Sequence, residues 1–335
     1  MKPIAMLCLL CSAAAAVGQA PPLLEPAKLR ARAAAVEVKP LWDVPWSHDG
    51  LVQPGTRWGE RLTAMAFSND GASLAVLGDG YVDLGSGRSG RSAGREVLVG
   101  SAGADEFLFF GEELVRGSAT GERREVGLRP PYRTEANGSP TGRFVLVHGR
   151  ASVPHRGDLV LVDLTTQRKL GLPLRARIVT AIAWSPDETL FALAVATGSD
   201  TAGGILVFDT LGKVVLRQRP DSEAPVTALA FDLDGRSILW SGRLLHRVDV
   251  RTGRALAWGE ARLRWLAPVD QDLVLGHDGR KLVWLTARAL LVARELDLEV
   301  GEDKEGVNAA ALSPGREVLA IAHPQSLRVY RVSRP

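Results

Sequence analysis

Residues 85–95, Gly-Ser-Gly-Arg-Ser-Gly-Arg-Ser-Ala-Gly-Arg, contain two patterns that do chemistry in other proteins. Gly85, Gly87 and Gly90 spell the phosphate-cradling GxGxxG, which requires a following helix and an acidic residue about 20 positions on. Ser92, between Gly90 and Gly94, stands where GxSxG places a nucleophile, which requires a strand-to-helix turn with Asp and His downstream. Neither context is met, because Glu-Val-Leu-Val-Gly at 96–100 reads as a strand. The segment reads as a surface loop whose remaining chemistry is anion binding by Arg88, Arg91 and Arg95 beside free backbone amides.

Metal chemistry has no better footing in the spacing. The six histidines, His48, His148, His155, His246, His277 and His323, show neither His-x3-His nor Glu-x-x-His, the spacings that put two ligands on one element. Asp232-Leu-Asp234-Gly235 opens like a calcium loop, but Arg236 follows and no glutamate closes it. It reads as a hairpin turn. Both cysteines, Cys8 and Cys11, fall in the N-terminal apolar segment, so a chain processed behind them has no thiolate for a metal, a disulfide or a nucleophile. No cofactor is expected. Trp46, Trp58 and Tyr132 stand in connections beside Pro, Gly and charged residues, where an aromatic serves more readily as a contact anchor than as core.

What must position such residues is a repeated unit. Thr-Ala-x-Ala-aromatic occurs at 63–67, 180–184 and 227–231 and, more loosely, as Asn-Ala-Ala-Ala-Leu at 308–312. Each runs into a turn, beginning at Ser68, Ser185, Asp232 and Ser313, and Ser139-Pro-Thr-Gly142 is a fifth such turn. The landmarks Ser68, Ser139, Ser185, Asp232 and Ser313 are separated by 71, 46, 47 and 81 residues, so the first and last gaps each hold another unit, near residues 105 and 271. Such a period marks an array of units, none able to bury its apolar faces alone. Each unit reads as four short strands. In the best-defined one the phrase is followed by strands at 237–240, 244–250 and 254–258, with Gly and Asp at the turns. Phe67, Trp184, Phe231 and Trp240 fall at apolar strand positions and read as packing between units.

Val-Asp-Val-Arg-Thr-Gly at 248–253 resembles the strand-ending dipeptide and turn of the WD-repeat β-propeller superfamily, with Val in place of Trp. Val82-Asp83-Leu84, Val162-Asp163-Leu164 and Phe208-Asp209-Thr210 repeat it. The Gly-His pair that opens family repeats is missing from its expected places, and Gly276-His277 falls in a mid-unit turn instead. The resemblance covers residues 55–333 and implies an all-β, seven-bladed β-propeller of four-stranded blades. It says almost nothing of function, since propellers host unrelated activities. The last unit offers only three strands, at 307–312, 316–322 and 326–332, while 36–44 has strand character and no partner nearby. An N-terminal strand closing the last blade removes an exposed edge, and Pro40 is tolerable on an outermost strand. The expected domains are a signal peptide at 1–20, a linker or short helix at 21–35, and one propeller at 36–335.

Lys2, the apolar run 4–17 and the small residues Ala14, Ala16, Gly18 and Ala20 read as an export signal, predicting a periplasmic or extracellular protein. The run is too short to span a bilayer, and no later stretch is long and apolar enough to do so. Basic and acidic residues number 41 and 38, for a net charge of +3, and are scattered through every unit. That argues against nucleic acid, whose binders concentrate charge on one face.

The expected function is therefore a non-enzymatic scaffold, one chain per molecule, that binds a protein or glycan through one face of the ring. In a propeller, loops between second and third strands share a face with the connections between blades. Lengthened loops at 150–157 and 198–204, with the connection 220–225, bring Arg150, His155 and Arg156 near Asp200, Asp221 and Glu223 on that face. Trp46 and Trp58 are further candidate contacts. The alternative is an exported propeller enzyme, a lactonase-like hydrolase or quinone-dependent dehydrogenase, with its site at the central channel. Such a site needs carboxylates or histidines converging on a metal, or a cofactor pocket, and the Thr-Ala-x-Ala phrases nearest the channel carry no ionisable side chain.

Overall fold

A computed structural model describes residues 25–45, 65–76, 80–83, 89–91, 97–103, 106–110, 113–118, 123–127, 134–149, 159–172, 178–196, 204–219, 225–298, 309–322 and 326–332. Their strands pair into seven four-stranded sheets. Six are meanders of contiguous chain, at 65–91, 97–125, 134–171, 178–218, 228–259 and 265–297. The remaining sheet combines Ala309–Leu312, Val318–Ala322 and Ser326–Val332 with Val38–Pro45, which pairs antiparallel to Ser326–Val332. The fold-class expectation of an all-β, seven-bladed propeller is corrected to six four-stranded blades, each formed from contiguous chain. The seventh four-stranded sheet is a composite of three C-terminal strands and Val38–Pro45.

The core is divided among the seams between sheets. One apolar cluster packs Ala183, Ala192 and Val207 against Leu229, Ile238 and Trp240, and the next packs Leu239 and Leu245 against Leu266, Val274 and Val283. Between the last sheet and the first, Ala320, Leu327 and Val329 pack on Phe67 and Leu74. The second strands, such as Ser237–Ser241 and Leu273–His277, are buried along their whole length and so need no alternation, while the innermost strands are partly exposed to the central cavity.

The turn after each inner strand is built by its serine. Ser68, Ser139, Ser185 and Ser313 are buried, and each accepts a hydrogen bond at Oγ from the N–H five residues on, at Ser73, Phe144, Leu190 and Val318. Asp232 does the same for Ser237 with a carboxylate oxygen. The fourth turn residue has positive φ: Gly71, Gly142, Glu188, Gly235 and Arg316. It also faces the preceding blade. A Cβ at Gly142 would lie 2.5 Å from Ala102 Cα, one at Gly235 3.6 Å from Ser185 Cβ, and one at Gly71 3.8 Å from Ser313 Cβ. Where that residue is not glycine, its side chain reaches back instead. Thr141 Oγ1 donates to the Glu188 carboxylate at 2.7 Å, and Arg316 Nη1 donates to the Pro268 carbonyl at 2.7 Å.

The helix, Pro26–Ala35, has proline in its first turn and is otherwise rich in Ala and Arg, both strong helix formers. It buries Ala33 and Val36 in the seam between the sixth and last sheets. Elsewhere the turn between third and fourth strands covers the preceding blade's outer strand: Gly212 lies against Leu170 and Leu172, and Gly253 against Leu216. The last sheet has no such turn, because its outer strand comes from the other end of the chain. The helix takes that place, with Arg32 on Asp270 at 3.0 Å and Asp272 at 2.6 Å, and with Arg294 donating to the Ala33 and Ala34 carbonyls.

Candidate functional site

The inner strands surround a cavity of about 1020 Å³ lined from all seven sheets. Small residues recur around it, with Ala66, Ala136, Ala183, Ala230, Ala267 and Ala310 in the lining. Convergence toward the axis explains this. Gly100 and Gly138 of neighbouring sheets face one another, and a Cβ on Gly100 would meet Gly138 Cα at 3.5 Å, an ordinary contact distance.

The polar groups at the lining are mostly spent on holding blades together. Ser101 Oγ donates to Asn69 Oδ1 at 2.6 Å, and Trp184 Nε1 donates to Asn137 Oδ1 at 2.8 Å, both across seams. Trp184 also stacks on Phe144 and tilts against Phe191. His277, buried, stacks on Trp265 at 6.1 Å. Arg264 is exposed at the lining, with its guanidinium over Gly279, whose φ is +107°. Among the described residues no Asp or Glu lines this cavity, and no group of three His, Cys, Asp or Glu is placed to hold a metal.

The carboxylates sit in turns and seams instead. The Thr252 hydroxyl and N–H hold Asp249 below the usual carboxylate range, and the Ser185 hydroxyl does the same for Asp187. Burial works against ionisation of Asp163, but Arg143 and the N–H groups of Thr165 and Thr166 outweigh it and lower that group as well. Asp163, Asp209 and Asp249 all accept backbone N–H bonds within the turn that follows. The strand-ending Asp of the repeat is thus a turn-building residue. Arg247 pairs with Asp232 at 2.9 Å, both largely buried, and donates to the Ala287 carbonyl of the next blade.

The binding candidates Arg150, His155, Arg156, Asp200, Asp221, Glu223, Trp46 and Trp58 all lie outside the described residues, as does Tyr132. The strands that bracket the first six belong to neighbouring sheets. Phe144–Gly149 precedes Arg150, Leu190–Ala196 precedes Asp200, and both run away from the serine turns. Two sequence readings need correction. Ser89–Arg91, read as loop, pairs with residues 80–82 as the outer strand of its sheet. His277, read as a turn residue, ends the strand Leu273–His277 opposite Trp265. Arg264 and Arg316 were missed. Arg316 had a signal, since it holds a turn position that is glycine in three other units.

No family model and no curated protein sequence matches the chain. Among solved structures it is similar to one described as "Structure of Dos1 propeller", with a TM-score of 0.59 and 11% identity over 88% of this chain and 95% of that one. At that identity the likeness speaks for fold alone. The chain is a β-propeller. No helix among the described residues is long and apolar enough to cross a membrane.

Proposed function

We propose that this propeller is an exported, non-enzymatic scaffold that binds a protein or glycan through the face carrying residues 150–157, 198–204 and 220–225. The observation that carries the reading is the channel lining among the described residues, where alanines, apolar side chains and cross-blade hydrogen bonds surround Arg264, His277 and Arg316 with no carboxylate beside them to complete an acid–base or metal site. The bracketing strands support the choice of face, because the second strands of adjacent blades run toward one rim, where irregular loops on a rigid support concentrate recognition. Export rests on the segment 1–20, with its single Lys2, apolar run and small residues. Kinship with WD repeats rests on the Asp-centred turns at 163, 209 and 249.

The test is capture of components of the native envelope on immobilised protein. The double variant Arg150→Ala/Arg156→Ala is expected to weaken capture at least about tenfold, about 1.4 kcal/mol, with an unchanged melting temperature. Unchanged capture removes this face from consideration. A stoichiometric metal in purified mature protein would favour the enzyme reading instead.

A further inference from the structure

The outer strands of the blades have an edge that no further strand pairs, although the next blade's turn packs beside them, as Leu290 does at Gly259, and natural sheets guard such edges with charge. Six of the seven outer strands here contain charged residues, for example Arg123, Arg124 and Glu125, or Arg168 and Lys169, or Glu295 and Asp297. The exception is Ala255–Gly259, Ala-Leu-Ala-Trp-Gly. Leu256 and Trp258 on it are 47% and 64% exposed. Trp258 lies opposite His246, which lies opposite Trp240, so a row of rings crosses the sheet and ends at the open edge. A bulge opposite Arg247 and Val248 does not set this strand apart, because the outer strands at 214–218 and 292–297 carry the same irregularity.

The residues flanking the unguarded strand are Arg254 and Glu260, both exposed. We propose that this edge is a self-association surface, in which the strand pairs antiparallel with the same strand of a second copy about a two-fold axis through Ala257. That register sets Arg254 opposite Glu260 of the second copy at both ends, and Leu256 opposite Trp258 twice. Moving the axis to Trp258 sets Arg254 opposite Arg262, and moving it to Leu256 sets Glu260 opposite Thr252. Only the first register pairs unlike charges, which is the isologous complementarity a two-fold interface requires. Main-chain bonds between the edges supply affinity, as in strand addition generally. A single pair of short strands places the dimer in the small, reversible class.

Sedimentation velocity over a concentration series of the purified protein tests this. The expected result is a concentration-dependent dimer, with Trp258→Lys weakening it at least about tenfold while leaving the melting temperature unchanged. Arg254→Glu and Glu260→Arg each put like charges opposite one another at both ends, so each alone is expected to weaken the dimer. An equimolar mixture of the two is expected to restore it, because the mixed pair again faces unlike charges at both ends. The proposal is overturned if the wild-type protein stays monomeric to about 1 mM, or if dimerisation persists unchanged in Trp258→Lys. A mixture no better than its components overturns the register, and with it the interface.

Discussion

Gly142 shows how much one turn position carries. It is buried, has φ +71°, and a Cβ there would stand 2.5 Å from both Ala102 Cα and the Ser101 carbonyl oxygen of the preceding blade. Gly127 has nearly the same φ, +73°, with no neighbour within 4 Å. The pair separates conformational cost from packing cost. Gly127→Ala is expected to cost about 1 kcal/mol, for the left-handed backbone alone, and Gly142→Ala about 3 kcal/mol, since a seam must open to admit the methyl. Thermal melts of the two variants read the difference directly. Glu188 and Arg316 accept the same backbone conformation, and each has a cross-blade hydrogen bond to set against it. Arg247 is a second residue whose loss crosses a seam. Arg247→Met leaves Asp232 without its cation and Ala287 O without its donor, and is expected to cost about 2 kcal/mol in chemical denaturation, below the full value for buried pairs because both partners are partly exposed.

The helix Pro26–Ala35 and the strand Val38–Pro45 behave as one element with two tasks. The helix covers the outer strand of the sixth blade, as hairpin turns do elsewhere, and the strand supplies the last sheet's edge. Deleting residues up to 45 exposes the edge of Ser326–Val332 together with the apolar seam around Val269, Leu273 and Leu319. The expected outcome is concentration-dependent aggregation, followed by light scattering. Arg32→Ala removes only the fork to Asp270 and Asp272, which is a third exposed. It is expected to lower stability by no more than about 1 kcal/mol and to leave the protein soluble.

A ring of blades has no single core, so its stability is distributed over seams and turns that all meet the same solvent conditions. Asp187 and Asp249 hold their protons less tightly than usual because hydroxyl and N–H groups of their turns favour the carboxylate. A carboxyl lowered in the folded state contributes stability that is complete above its unfolded value and lost as pH falls through the folded one. The repetition of this device at Asp163 predicts that the melting temperature is level from neutral pH to about pH 5 and declines below about pH 4. A Trp258 variant is expected to follow the same curve, since that side chain lies on the outer edge and not in a seam.

The repeat itself was legible in the chain. The serine turns and the strand-ending Asp residues are local devices, bonded within five residues of themselves, so their spacing records the unit directly. The need for an edge strand could also be read, from three strands at one end of the chain and one unpartnered strand at the other. Contacts between units could not. That Arg316 reaches Pro268, Glu188 reaches Thr141 and the helix fills the seam beside the sixth blade depends on which surfaces the ring brings together, across 47 or more residues of chain. The same limit applies to Trp258. Its phrase, Ala-Leu-Ala-Trp, is almost that of the buried inner strands, and only its place as the outermost strand of a blade turns an apolar core motif into an exposed edge.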